Sequence, residues 1–184
     1  MRVISGEIKG HRLLAPKGKN TRPTEDRIKE SIFNILMPLK ADSIVLDLFS
    51  GSGQIGIEFL SRGAVEAVFV DNSKESISFI NTNLERTRYT DKGKVIKNNY
   101  KRALKYFNEE SLTFDYIYMD PPFSEDKLFI NSLDLISTYG ILKDNGLLIV
   151  EHNKDMEFRD IYDFKLIDNR KYGNIDISIL TRGE

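Results

Sequence analysis

Three glycines with an acidic residue on either side form the first group of residues that could do chemistry. Gly51, Gly53 and Gly56 satisfy the pattern G-x-G-x-x-G between a predicted strand and a predicted helix, where a ligand can approach the backbone closely. Asp47 precedes these glycines, and Asp71 follows Gly51 by 20 residues. That spacing suits a carboxylate that binds the two hydroxyls of a ribose. The group therefore predicts a nucleoside-containing ligand.

The charge beside the glycines narrows the identity of that ligand. No Lys-Ser or Lys-Thr follows them, which excludes a nucleoside-triphosphate P-loop. The carboxylate of Asp47 would repel a pyrophosphate, but it would attract the sulfonium and ammonium groups of S-adenosylmethionine. The pattern thus favours S-adenosylmethionine over NAD. The alternative is that Asp47 only caps the loop and Asp71 only starts a turn.

A second group, Asp120-Pro121-Pro122-Phe123, follows another predicted strand. An exocyclic amine of a nucleobase is a poor nucleophile because its lone pair is delocalised into the ring. Asp120 and the Pro121 carbonyl could accept both amine hydrogens and favour a tetrahedral nitrogen, while the prolines stiffen the loop. Phe123 could stack on a base withdrawn from its helix. The group predicts direct methyl transfer to an amine, with Asp120 either accepting the proton or only a hydrogen bond. The alternative is a proline turn that leaves the sheet.

The elements that must position these residues alternate along the chain. Apolar strands separated by amphipathic helices predict a Rossmann-like α/β fold with a mostly parallel sheet covered on both faces. Such a sheet binds ligands at the carboxyl ends of its strands, where both groups lie. Residues 164–167 and 175–180 predict a terminal antiparallel strand pair. The predicted parallel strands are 44–48, 67–70, 94–97, 116–119 and 147–150.

The front of the chain has a different pattern. Residues 2–15 predict a small β-hairpin around Lys9-Gly10, followed by a loop rich in glycine, lysine and proline. Thr24 is predicted to cap the next helix, whose first turn holds Glu25 and Asp26. We therefore expect an N-terminal extension over residues 1–23 and a methyltransferase domain over residues 24–184, which together form one folding unit.

Composition excludes several other classes of protein. The 184 residues contain no cysteine, which excludes disulfides, zinc-thiolate sites and cysteine nucleophiles. His11 and His152 are the two histidines, so we expect no metal site and assign neither a catalytic role. The sequence has no apolar run of the roughly 20 residues that a membrane span needs, and it does not open like a signal peptide. We expect a cytoplasmic protein that associates with no membrane.

Positive charge is concentrated in two segments although the formal net charge is −1. Residues 1–40 carry nine Lys and Arg against four acidic residues, and residues 83–106 carry eight against two. The two segments could form a phosphate-binding face. The alternative is that these side chains only solvate surface loops.

Together these motifs resemble S-adenosylmethionine-dependent N-methyltransferases of the Asn/Asp-Pro-Pro-aromatic class. From Arg2 to about Leu180, the chain resembles more closely the RsmD-type methyltransferases. The block TRPTEDRIKE at 21–30 is the specific part of this resemblance, since the other motifs are common to many methyltransferases. Those other motifs are RVISG at 2–6, DLF at 47–49, GSG at 51–53, SRGA at 61–64, DPPF at 120–123, EH at 151–152 and YG at 172–173.

The resemblance implies methylation of the N2 amine of one guanine in 16S ribosomal RNA. It implies S-adenosylmethionine as the cofactor, and 16S ribosomal RNA or a small-subunit assembly particle as the partner. It also implies that Thr24 holds the methionine carboxylate, and that Asn99, where the family often has Asp, meets the adenine amine. Asp71 stands where the family often has Glu.

The predicted site residues fall into three sets. The catalytic set is Asp120, Pro121, Pro122 and Phe123. The cofactor set is Thr24, Asp47, Phe49, Gly51, Gly53, Asp71, Asn72, Asn99 and Tyr100. The RNA-binding set is Arg2, Lys9, Arg12, Lys17, Lys19, Arg22 and Arg27.

Two other functions remain open on the sequence. An adenine-N6 methyltransferase acting on RNA or DNA could use the same Asp-Pro-Pro-Phe group. A non-catalytic RNA-binding assembly factor could retain the fold, although the intact glycine and Asp-Pro-Pro-Phe groups argue against loss of activity. An NAD-dependent oxidoreductase would leave Asp120-Pro121-Pro122-Phe123 unexplained.

Overall fold

A seven-stranded sheet forms the centre of the computed structural model, which describes residues 1–15, 23–122, 126–154 and 163–183, with the side chains of 23–25 and 126 excepted. The helices are α1 (Pro23–Leu36), α2 (Gln54–Ser61), α3 (Lys74–Thr87), α4 (Tyr100–Glu109) and α5 (Asp126–Tyr139). The strands are β1 (Ile44–Leu48), β2 (Glu66–Asp71), β3 (Gly93–Lys97), β4 (Phe114–Met119), β5 (Leu142–Asn153), β6 (Phe164–Tyr172) and β7 (Ile175–Arg182).

The strand order is β3-β2-β1-β4-β5-β7-β6. Strands β1 to β5 run parallel, whereas β7 lies antiparallel between β5 and β6. This arrangement confirms the predicted mostly parallel sheet with a terminal antiparallel pair. Because β1 pairs with both β2 and β4, the direction of strand succession reverses there, and ligands of open α/β sheets bind at such a point.

Helices cover both faces of the sheet. Residues 1–15 and α1 to α3 pack on one face, and α4 and α5 pack on the other. Every residue of β4 is buried, as expected for a strand covered on both sides. Within the described part of the chain, no helix has the length and apolarity to cross a membrane.

Residues 1–15, the N-terminal segment, fold back on themselves as the predicted hairpin requires: the Val3 N–H donates to the His11 carbonyl at 2.9 Å, and the Leu13 N–H donates to the Met1 carbonyl at 3.2 Å. The paired region is short. One isolated antiparallel bridge joins Arg2 to Arg12 where two paired strands were predicted. The pairing stops after Val3 because the next backbone donors bind a helix: the N–H groups of Ile4 and Ser5 both donate to the carboxylate of Glu58 in α2. Val3 and Leu13 of the segment are buried in the core below.

The prediction that Thr24 caps α1 is wrong, because the helix already begins at Pro23. Proline suits a first helical position, since its φ is fixed near the helical value and its missing N–H would have no partner there. Thr24 therefore lies inside the first turn of α1.

Candidate active site

The glycine loop, residues 49–53, connects β1 to α2 at the carboxyl end of β1. Its backbone bends through left-handed conformations, with φ of 73° at Phe49, 55° at Gly51 and 78° at Gly53. The N–H groups of Phe49 and Ser50 both donate to the Val70 carbonyl at 3.0 Å, which holds the loop against β2. The loop is thus fixed at the point where a cofactor would bind.

Gly56, the third glycine of the pattern, has a packing role. A Cβ at this position would lie 2.3 Å from Cε1 of Phe69 on β2. The absence of a side chain lets α2 approach the sheet closely, as the third glycine of this pattern does in dinucleotide-binding folds.

Asp71 ends β2 beside the glycine loop. Its Oδ2 accepts the Gly51 N–H at 2.9 Å, and its Oδ1 accepts the Ser73 N–H at 2.8 Å. A carboxylate offers about four acceptor positions, so about two remain for other donors. Both oxygens are therefore oriented by backbone groups before any ligand binds.

Asp47 is buried, with 2 % of its surface exposed. Its Oδ2 accepts the Gly56 N–H at 3.0 Å. Burial first, then the negative charges of Asp120 and Asp71, together raise the pKa of Asp47 to about 7 against the lowering effect of the Gly56 bond. Three carboxylates from β1, β2 and the end of β4 therefore share one negative region, which suits a cation.

Tyr118 and Glu151 form a pair at this end of the sheet that the predicted site did not include. The Tyr118 hydroxyl donates to the Glu151 carboxylate. Burial of Tyr118, followed by the negative charges of Glu151 and Asp120, raises its pKa well above the ordinary value, so the hydroxyl stays a donor. The sequence offered two signals for this pair. Tyr118 lies two residues before Asp120, and Glu151 directly follows the predicted strand 147–150.

The Asp120-Pro121-Pro122 turn follows β4 directly. Asp120 is exposed, Pro121 is buried and Pro122 is exposed. The buried Pro121 anchors the turn while Asp120 faces solvent. Phe123, the last residue of the predicted group, lies outside the described residues.

The remaining predicted cofactor residues follow β2 and β3. Asn99 caps α4. Its Oδ1 accepts the Arg102 N–H at 3.0 Å, so that oxygen already has a hydrogen-bond donor within the helix. The ring centroid of Tyr100 lies 5.7 Å from that of Phe49, with the rings tilted by 46°. Asn72 is exposed directly after β2. The side chain of Thr24 is outside the described part.

The predicted RNA-binding residues that the structure describes are exposed: Arg2, Lys9, Arg12 and Arg27. The Arg2 Nε lies 3.2 Å from Oδ2 of Asp26 in the first turn of α1. Lys17, Lys19 and Arg22 fall outside the described residues.

The second basic segment, residues 83–106, is divided by β3. Arg86 and Arg88 precede this strand, whereas Lys101 and Arg102 follow it. Five strand residues span about 16 Å, so the two groups lie toward opposite ends of the sheet. Lys94 and Lys97 are exposed on the strand between the two groups.

Glu58 anchors the N-terminal segment and was not predicted. It is fully buried, and it accepts the N–H groups of Ile4 at 2.8 Å and Ser5 at 3.0 Å. Arg62 Nε lies 2.8 Å from its Oε1, and Lys29 Nζ lies 3.3 Å from its Oε2. The signal in the sequence was that Glu58 is the one acid in the otherwise apolar stretch IGIEFL at 55–60.

Lys29, itself buried, connects the Glu58 cluster to the backbone of the exposed residue Arg2. Its Nζ donates to the Arg2 carbonyl at 2.5 Å. Burial lowers the pKa of Lys29, and the charge of Glu58 opposes that change. The backbone of Arg2 is therefore fixed from inside the protein while its guanidinium faces solvent.

Strand order, the glycine loop and the carboxylates at the strand ends define a Rossmann-like methyltransferase fold. The chain belongs to the family described as "Conserved hypothetical protein 95", whose model matches residues 1–181. The resemblance to RsmD-type methyltransferases is thereby confirmed.

Named relatives include proteins of Bacillus subtilis and Escherichia coli. The chain is 39 % identical over 180 residues to a Bacillus subtilis protein named "Putative rRNA methyltransferase YlbH", covering 97 % of each. It is 32 % identical over 151 residues to an Escherichia coli protein named "Ribosomal RNA small subunit methyltransferase D", covering 82 % of this chain and 74 % of that protein.

Solved structures share the fold. A structure described as "Putative methyltransferase yhhF from Escherichia coli" superimposes with a TM-score of 0.83 at 28 % identity, covering 100 % of this chain and 98 % of that one. A structure described as "SMU.776, a putative methyltransferase complexed with SAH" has a TM-score of 0.68 at 19 % identity, covering 86 % of this chain and 49 % of that one. At that identity the likeness is one of fold alone.

Proposed function

We propose that this protein transfers a methyl group from S-adenosylmethionine to the exocyclic N2 amine of a guanine in small-subunit ribosomal RNA. The observation that carries the proposal is a group of three carboxylates: Asp71 and Asp47 each bind an N–H of the glycine pattern, and the charge of Asp120 acts on Asp47. The names of the Bacillus subtilis and Escherichia coli relatives support ribosomal RNA as the substrate class. The cytoplasm is where such an enzyme would meet that substrate.

The residues present fit S-adenosylmethionine, which supplies the electrophilic methyl group. Asp71 has acceptor positions left for ribose hydroxyls, and its two backbone donors hold it in place. Phe49 and Tyr100 offer aromatic surface for the adenine. Asp47 provides negative charge for the cationic end of the cofactor, although a buried carboxyl with a pKa of about 7 must first lose its proton.

The chemistry at the amine is assigned to Asp120 and the Pro121 carbonyl. Each would accept a hydrogen bond from the guanine amine, which keeps the nitrogen lone pair directed at the methyl group. As the N–C bond forms and the S–C bond of the sulfonium breaks, the nitrogen loses one proton, either to the Asp120 carboxylate or to water. Positive charge develops on that nitrogen during transfer, and the carboxylates of Asp120 and Glu151 stabilise it. Tyr118 acts as a positioning residue, since its hydroxyl holds the Glu151 carboxylate.

Residues 1–23 are assigned to RNA. The N-terminal segment has no separate core, because Val3 and Leu13 pack with α1 to α3. Its exposed Arg2, Lys9 and Arg12 project from a backbone that Glu58 and Lys29 hold in place. We therefore infer an RNA-contacting extension that forms one folding unit with residues 24–184.

The decisive experiment is methylation followed by nucleoside analysis. Transcribed 16S ribosomal RNA and small-subunit particles would each be incubated with the protein and labelled S-adenosylmethionine. Labelled N2-methylguanosine is expected. Labelled N6-methyladenosine would show that the target base is adenine and not guanine. Cofactor binding without any labelled nucleoside would indicate a non-catalytic factor.

A further inference from the structure

Asn83 in α3 links two parts of the molecule that are far apart in sequence. Its side chain is fully buried. Its Oδ1 accepts the Leu14 N–H at 2.8 Å, and its Nδ2 donates to the Leu14 carbonyl at 2.9 Å. The same Nδ2 donates to the Ser52 carbonyl, also at 2.9 Å. One amide therefore satisfies three backbone groups.

The backbone groups that Asn83 binds belong to two different proposed binding regions. Ser52 lies in the glycine loop between Gly51, whose N–H binds Asp71, and Gly53, which precedes α2. Leu14 belongs to the N-terminal segment, whose basic residues are assigned to RNA. Asn83 thus joins the loop proposed to hold the cofactor to the segment proposed to hold the substrate.

The contact is costly to break because it is buried. A buried N–H or C=O that loses its partner keeps its full desolvation penalty, since water cannot replace the bond. Any shift of Leu14 relative to Ser52 would break at least one bond of the Asn83 amide. The two segments therefore favour one common arrangement.

We propose that Asn83 is a positioning residue that couples the N-terminal segment to the glycine loop, so that RNA bound to the segment strengthens S-adenosylmethionine binding at the loop. The proposal rests on the proposed function for the identity of both ligands. Coupling of this kind is reciprocal, so the cofactor must strengthen RNA binding by the same factor.

Asn83→Ala is the first test, with Thr87→Val as the matched control. Thr87 is also buried in α3, but the bonds that its hydroxyl donates within the described part go to the Asn83 and Leu84 carbonyls of the same helix. We expect Asn83→Ala to weaken S-adenosylmethionine binding about tenfold in calorimetry. Thr87→Val is expected to stay within about twofold of wild type. Equal affinities in the two variants would overturn the positioning role.

The second test measures coupling. Cofactor affinity would be determined with and without transcribed 16S ribosomal RNA or small-subunit particles, using whichever supports methyl transfer. We expect RNA to raise the affinity about fivefold or more in wild type and in Thr87→Val, and to leave it unchanged in Asn83→Ala. A merely structural Asn83 would lower the melting temperature without moving this ratio.

The outcomes separate this proposal from the proposed function. If the wild-type protein transfers methyl groups but binds the cofactor equally well with and without RNA, the coupling is overturned and the proposed function stands. Absence of methyl transfer would contradict the function, while the comparison of Asn83→Ala with Thr87→Val would still decide the positioning role. If Asn83→Ala does not fold, Leu14→Pro removes the N–H that binds Asn83 Oδ1, and wild-type cofactor affinity in that variant would overturn the proposal.

Discussion

Individual carboxylates at the strand ends have different surroundings, and these predict different roles. Asp120 is exposed, Asp71 accepts two backbone N–H groups, and Asp47 is buried with a raised pKa. An exposed carboxylate is accessible to an incoming base, whereas an oriented one suits a bound ribose. Transfer rate, cofactor affinity and pH dependence should therefore respond to different substitutions.

Asp120→Ala should lower the rate of methyl transfer about 10²- to 10³-fold, the usual loss when one transition-state hydrogen-bond partner is removed. Cofactor affinity should remain close to wild type, because Asp120 is assigned to the amine. Single-turnover transfer and calorimetry measure the two quantities separately. A rate within a few-fold of wild type would exclude Asp120 from the chemistry.

Asp71→Ala should weaken cofactor binding first. Hydrogen bonds to a charged group are worth about 1.5–3 kcal/mol each, so the loss of one corresponds to roughly tenfold or more in affinity. Asp144→Ala is a control for the loss of an acid, since the Asp144 side chain is 95 % exposed. If calorimetry finds the same affinity in both folded variants, Asp71 is not a cofactor ligand.

Asp47 should make cofactor binding depend on pH. With a pKa of about 7, raised from 3.8 by burial with Asp120 and Asp71 nearby, its carboxyl is neutral below pH 7 in the free protein. Binding of a cationic cofactor favours the ionised form, so affinity should rise between about pH 6 and 8 and then level off. Calorimetry across this range should show a flatter profile for Asp47→Asn. Parallel profiles would refute the assignment.

The same pKa predicts the direction of a stability change in the free protein. Between its ordinary pKa and 7, the Asp47 carboxyl is neutral when folded and ionised when unfolded. Its contribution to the free energy of unfolding is therefore complete below about pH 4 and is lost as the pH rises through about 7. Urea unfolding across this pH range should show the loss of stability in wild type and a smaller loss in Asp47→Asn, whose side chain does not ionise.

Among the elements, α2 connects the two proposed binding regions. It begins after the glycine loop, and its last turns hold the N-terminal segment through Glu58 and Ser61. The Glu7 N–H donates to the Ser61 carbonyl at 2.7 Å, and the Ser61 hydroxyl donates to the Ser5 carbonyl at 2.7 Å. Docking of the segment thus depends on close backbone contact with the helix.

Gly6→Ala and Gly10→Ala form a matched pair that tests this docking. Both glycines have similar positive φ, 87° and 86°, so both variants incur a backbone cost of about 1–3 kcal/mol. A Cβ at Gly6 would lie 1.9 Å from the Ser61 carbonyl oxygen, whereas one at Gly10 meets no described atom within 4 Å. Gly6→Ala should therefore lose about 1–3 kcal/mol more stability and raise the KM for RNA.

Urea unfolding and steady-state kinetics measure both effects of these alanine variants. The KM for RNA should rise in Gly6→Ala well beyond its value in Gly10→Ala. Equal losses of stability, with equal KM values, would mean that docking of the segment on α2 matters for neither property.

Charge over the whole molecule is uneven although the formal net charge is −1. If the N-terminal segment contacts RNA phosphates, affinity should fall with salt, with a log–log slope of about −0.7 per neutralised phosphate on single strands. Substituting Gln for Arg2, Lys9 and Arg12 should flatten that slope by up to about 2 and raise the KM for RNA. Cofactor affinity in the absence of RNA should stay unchanged.

The control for this charge change lies on β6, the edge strand at the end of the sheet opposite β3. Lys165 and Lys171 are exposed there, and substituting Gln for both should leave the salt slope at its wild-type value. A slope that responds equally to both sets of substitutions would mean that net charge, and not the N-terminal segment, controls RNA binding.

Much of the fold follows from local patterns in the sequence. Strand β1 has the predicted bounds, because an apolar run acts over a few neighbouring residues. The glycine loop and Asp120 could be placed at the carboxyl ends of strands for the same reason, since each directly follows an apolar strand.

The partners of the buried polar groups were decided by the tertiary structure. Glu58 binds Ile4 across 54 residues, Asn83 binds Leu14 across 69, and Tyr118 binds Glu151 across 33. No local pattern specifies which distant donor meets a buried acceptor, because that choice depends on how the helices pack on the sheet. The pKa of Asp47 has the same origin, since burial and the approach of Asp71 and Asp120 exist only in the folded chain.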